Sequence, residues 1–114
     1  MDLSELERLC KGDRRRMRQY VDLYLQEAPP LLARLEAARS ADDGPGTAAA
    51  AHALRPAAHR LGANALFDAL TELEQVARQR GAQACDEALQ RVRARQERLT
   101  ADLMAWCASP ENGG

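Results

Sequence analysis

The stretch TAAAAHALRPAAHRLGA, residues 47–63, decides how this chain folds. Alanine is the best helix former, and here it dominates. Thr47 is the expected N-cap and Leu61 the end of the helix. Gly62 can take the left-handed conformation that closes it. At about 100° per residue, Leu54, Ala57 and Leu61 share one face. His52 falls opposite Leu61 and should therefore point to solvent. Its stripe holds Ala48 a turn before, Arg55 and Pro56 a turn after, and His59 two turns after. Exposed helix surface ordinarily carries Glu, Lys and Gln. A bare stripe centred on a histidine is unusual.

The flanking segments are punctuated as helices too. DLSE fits a capping box, with Asp2 accepting from the first-turn amides and Glu5 reaching back. Leu3, Leu6 and Leu9 then line a short helix that Gly12 stops, and Asp13 caps the next. There Met17, Tyr20, Val21, Tyr24, Leu25, Leu31, Leu32 and Leu35 form one apolar stripe. Pro29-Pro30 is expected to kink or divide it. SADDGPG, Ser40–Gly46, reads as a loop. Downstream, Asn64 is the expected cap of a helix carrying Leu66, Phe67, Leu70, Leu73 and Val76 and ending at Gly81. A last helix, about Ala82 to Trp106, turns Leu89, Val92, Leu99, Leu103 and Trp106 inward. Residues 1–108 then make an all-α, antiparallel four-helix bundle with the short first helix capping one end, and 109–114 a polar tail.

Composition agrees. The 114 residues suffice for one domain, and 46% hydrophobic with 29% charged is ordinary globular usage. There is no Ile, one Phe and only Val21, Val76 and Val92 among valines, so strands lack their usual residues. Sixteen basic against seventeen acidic residues give a net charge of −1, which argues against a nucleic-acid binder. The clustered Arg14, Arg15, Arg16 and Arg18 have nearby acids and no stacking platform, so they read as a solvated face. No apolar run approaches a membrane span, and the polar start is no signal peptide. Cys10, Cys85 and Cys107 are scattered and odd in number, as reduced cytosolic packing residues are. Met1 and the polar ending favour a free-standing protein. No Gly-rich phosphate loop, Ser/His/Asp set or paired-carboxylate signature appears.

Chemistry therefore concentrates at His52. A lone exposed histidine is usually only a solvated polar side chain. Its functional reading is nucleophilic: imidazole in water titrates near pH ~6.5 and is largely neutral at pH 7, so a ring nitrogen can accept a phosphoryl group. Arg55, one turn on, can neutralise the incoming charge. Ala48 and Ala49 would let a partner's surface come close.

These residues match a family. His52-Ala53-Leu54-Arg55-Pro56-Ala57-Ala58-His59-Arg60-Leu61-Gly62-Ala63 resembles the histidine phosphotransfer (HPt) motif. That motif reads His-x-Leu-Lys-Gly, two small residues, two variable positions, an apolar residue, Gly and commonly Ala. Gly12-Asp13 opening a long helix with Tyr20, Leu23 and Tyr24, and Leu66, Leu70 and Leu73-Glu74 after the motif, look like the family's layout. The resemblance spans about Leu3 to Trp106. It implies a cytoplasmic, monomeric phosphorelay carrier without kinase activity. His52 would accept a phosphoryl group from a receiver-domain aspartate and pass it to another receiver domain. The implied partners are response-regulator receiver domains and a hybrid sensor histidine kinase. No cofactor is implied for the carrier itself, since Mg²⁺ belongs to the receiver. By position His52 is the phospho-acceptor, Arg55 the neutralising cation and Gly62 the structural glycine ending the helix. Ala48, Ala49, Pro56 and His59 fall on the docking face.

Two departures stand out. Arg55 replaces Lys, a planar fork for a point charge. Pro56 replaces Gly and cannot donate to the His52 carbonyl, at a cost of roughly 3 kcal/mol in an ordinary helix interior. A kink or widened turn is expected there, reading as drift at a tolerated exposed position. His59 stands where the family places something small. Two turns put its Cα ~10.5 Å from that of His52, too far to share one metal ion easily. It reads as a solvated residue at the edge of the docking surface. The alternatives are a receiver- or kinase-binding module that passes no phosphate on, and a purely structural bundle.

Overall fold

The helix stops and caps lay out the architecture. In the computed structural model, which describes residues 3–109, five α-helices follow one another: α1 (Ser4–Leu9), α2 (Arg14–Ser40), α3 (Gly44–Arg60), α4 (Asn64–Arg80) and α5 (Asp86–Ala108). One turn of 3₁₀-helix, Ala82–Cys85, precedes α5. Lys11 and Gly12 both adopt left-handed φ between α1 and α2, and the Asp13 carboxylate accepts from the Arg16 amide at 3.2 Å. Asp2, the expected cap of α1, lies outside the described residues. Glu5 pairs forward with Arg8.

Three boundaries differ from the sequence reading. α2 runs undivided through Pro29 and Pro30 for 27 residues. Both prolines are exposed, where water can reach the carbonyls they leave unpaired. Met17, Val21, Tyr24, Ala28 and Leu35 bury one continuous stripe that keeps both halves in line. α3 begins at Gly44, so the 40–46 loop shrinks to three residues after Ser40. Its cap is Asp43, which accepts from Gly46 N at 2.8 Å, and Pro45 fits the first turn. Thr47 is therefore an interior residue, fully buried, donating its hydroxyl to the Asp43 carbonyl at 2.7 Å. Asn64 is the first residue of α4, while Ala63 occupies the capping position without a side-chain bond.

α3 packs against α2 on one side and α4 on the other, and α5 lies against α4, in a bundle of 47 × 20 × 18 Å. α2 and α5 are tied mainly by polar groups. Arg39 bonds Asp86 at 2.7 and 2.9 Å, Arg93 bonds Glu36 at 2.6 and 2.8 Å, and the Tyr24 phenol donates to Gln96. The exposed ion pairs contribute little each. Cohesion comes from the core, where Leu54, Leu61, Leu70, Leu73, Leu89, Leu99 and Leu103 are fully buried. Each such leucine contributes about 1.5–3 kcal/mol over leaving it exposed. Cys10 and Cys85 belong to this core, and Trp106 is half-buried at its end, less inward than its spacing suggested. α1 closes the end of the bundle over Gly62. A Cβ there would lie 2.4 Å from Glu5 Cγ, and its φ of +70° already favours glycine.

Candidate functional site

α2 and α4 flank α3 on both sides, so its buried arc is wider than one stripe. Thr47, Ala48, Ala50, Ala51, Leu54, Ala57 and Ala58 are all buried. What remains exposed beyond the first turn is a narrow strip: Ala49, His52, Ala53, Pro56 and His59. His52 faces solvent as its position opposite Leu61 demanded, with 62% of its side chain exposed. Ala48, expected on the same strip, is only 2% exposed, because α4 passes over it beside Ala77 and Arg78. Ala49 takes that place. At Pro56 the helix continues without a break or wider turn. Its ring is exposed, while Leu54, Ala57 and Ala58 hold the opposite face in the core.

Behind His52 stands Glu74 of α4, only 8% exposed. Both its carboxylate oxygens lie 3.1 Å from His52 Nδ1. Arg55 Nη1 donates to Oε1 at 3.2 Å, and Arg78, one turn along α4, reaches Oε2 at 2.8 Å. Burial alone would raise the Glu74 pKa. The hydrogen bonds from His52 and Arg55, with the charges of His52 and Arg78, outweigh it and hold the carboxyl below its ordinary range. An ionised carboxylate only accepts. The ring nitrogen facing it therefore carries the proton, and in the neutral ring Nε2, on the outer side, is then the atom with a free lone pair.

Phe67 of α4 sits beside this pair. The Arg55 guanidinium lies over its ring, with Cζ 4.8 Å from the centroid, and the His59 ring leans against it at 5.8 Å and 53°. His52, Arg55, Pro56, His59 and Phe67 line one shallow groove. No carboxylate among the described residues pairs with His59, which has the Phe67 ring beside it. Among the described residues no group of three or more His, Cys, Asp or Glu is placed to hold a metal ion, and no helix is long and apolar enough to cross a membrane.

Glu74 and Phe67 are the site residues to which the sequence alone assigned no role. A signal for Glu74 exists: Leu66, Leu70 and Ala77 set a buried register on α4, and a glutamate interrupts it next to Leu73. A carboxylate in an apolar register needs a cationic partner. Phe67 carried no such signal, since a lone aromatic on a helix reads as core.

The family model of the Hpt domain matches residues 19–103, most of the chain. No curated protein and no solved structure gives a significant match. An all-α bundle, an exposed histidine at its centre and this match agree, and the chain belongs to the Hpt domain family, whose members are phosphocarriers of two-component phosphorelays.

Proposed function

We propose that this chain is a phosphorelay intermediate in which His52 takes a phosphoryl group from the aspartyl phosphate of one receiver domain and surrenders it to the aspartate of another. It works as a cytoplasmic monomer between a hybrid sensor histidine kinase and a response regulator. The observation that carries this reading is the Glu74 carboxylate, 3.1 Å behind an imidazole that is otherwise open to a partner.

In the forward step Nε2 attacks phosphorus, the P–O bond to the donor aspartate breaks, and that carboxylate leaves as an anion. The ring keeps its Nδ1 proton and becomes cationic on forming the P–N bond. Glu74, already ionised, offsets that charge without moving. Onward transfer reverses these changes at a second receiver. Arg55, which lines the same groove as His52, is the cation that meets the phosphoryl oxygens. The strip of Ala49, Ala53 and Pro56 carries no long side chain to hold a receiver surface away. Mg²⁺ comes with the receiver, where the acyl phosphate forms.

The test mixes the protein with Mg²⁺ and receiver domains phosphorylated in advance, and reads uptake by intact mass and site mapping under non-acidic conditions. Acid-labile label on His52, absent from His52→Ala, is the expected result. Label on His59 moves the site. No label from several competent donors, even after Pro56→Gly, overturns transfer and leaves a docking module.

A further inference from the structure

Arg55 is held on two sides, by a carboxylate and by an aromatic ring. An exposed helix arginine ordinarily swings through solvent, yet this side chain is only 29% exposed. Its Nη1 is bound to Glu74, its Cζ lies 4.8 Å over the Phe67 ring, and its Nε is buried without a hydrogen-bond acceptor. A buried donor left unpaired is costly unless something electron-rich lies beside it. An aromatic face serves that role for a guanidinium. The His59 ring leans against the same phenyl group.

We infer that Phe67 is a positioning residue of the phosphoryl site: its ring is the platform that keeps the Arg55 guanidinium against Glu74 and beside His52. This rests on the phosphotransfer reading for its consequence, though not for its geometry. It also accounts for Arg in place of Lys. A planar guanidinium can lie flat on a ring while one of its nitrogens reaches a carboxylate, and an ammonium cannot do both. The His59 ring packs against the same platform.

The geometry is tested on the full chain by NMR of the Arg55 Nε–H group. Native protein should show that resonance shifted upfield by the ring current and slow to exchange with water. Phe67→Leu, which keeps an apolar side chain at a half-buried position, should lose both signatures, and Phe67→Tyr should restore them. Unchanged signatures in Phe67→Leu overturn the inference. The consequence is tested by uptake from a receiver domain loaded with acetyl phosphate and Mg²⁺. Phe67→Leu should slow uptake about three- to fivefold, Phe67→Tyr should recover it, and Phe67→Leu should add nothing on an Arg55→Ala background. An equal further loss on that background means Phe67 acts by some route other than Arg55, and the inference falls. If native protein accepts no phosphate at all, the relay reading fails while the Arg55 resonance still decides where Phe67 holds the guanidinium.

Discussion

Two imidazoles stand two turns apart on the exposed strip of α3, and their surroundings differ in one respect that decides their chemistry. Behind His52 is a buried, ionised carboxylate that binds Nδ1 and is itself held by Arg55 and Arg78. Behind His59 is a phenyl ring. The first arrangement fixes a tautomer, aims Nε2 outward and compensates a cationic ring. The second offers only contact. Exposure makes both histidines reachable; in the proposed relay it is the carboxylate on the neighbouring helix that singles out His52 as the nucleophile.

The sharpest way to break this comparison is to exchange the histidines one at a time. His52→Gln should abolish phosphoryl uptake, measured by intact mass, whereas His59→Gln retains it. Uptake lost in the second variant and kept in the first would reverse the assignment. Next in size is the carboxylate. Glu74→Ala should slow uptake on the order of a hundredfold, at the lower end of what acid–base groups contribute. Glu74→Gln, which still offers an oxygen to Nδ1, should slow it less. In ¹⁵N spectra the His52 ring of the native protein should show a protonated Nδ1, and Glu74→Ala should lose that preference while His59 is unaffected.

Stability separates the two ends of α3 as well. Gly62→Ala puts a Cβ against Glu5 and forces a left-handed conformation on alanine, so unfolding in urea should come earlier by roughly 1–3 kcal/mol. The loss should fall on the α1 end near His59, with the tautomer of His52 unchanged. The smallest effect concerns pH. Because the Glu74 carboxyl is held below its ordinary range in the folded chain, its ionised form stabilises the fold fully above the unfolded value of ~4.3 and progressively less as pH falls through the lower folded value. The stability gap between native protein and Glu74→Gln, read from urea midpoints, should therefore be widest near neutrality and close towards pH ~3. A gap that widens on acidification would mean that Glu74 is not ionised in the fold.

Much of this was legible before any coordinates. The stops at Gly12, Gly62 and Gly81 fall where the glycines stand, because left-handed φ is cheap only there. The exposure of His52 followed from its half-turn offset from Leu61. The misreadings have a common origin. Pro29, Pro30 and Pro56 were weighed as breakers by their local cost, but each projects to solvent while the opposite face is anchored in a core shared with other helices. Thr47 resembled a cap by residue type alone, and Asp43, with Pro45 behind it, competed better for the same helix start. Ala48 was assigned to the surface by a rule that assumes one buried stripe, whereas α3 is flanked on both sides.

What the chain's residues determined by themselves is therefore one-dimensional: helical periods, their stops, and a histidine kept clear of the apolar face. These depend on neighbours three or four positions away, and local geometry transmits them faithfully. The tertiary structure decided which side chains stand behind that histidine. Glu74 is 22 residues beyond His52 and Phe67 is 12 beyond Arg55, on a different helix. Their contacts follow from how closely the alanines of α3 let α4 approach and in what register. That is set by packing in three dimensions, and no spacing along the chain encodes it.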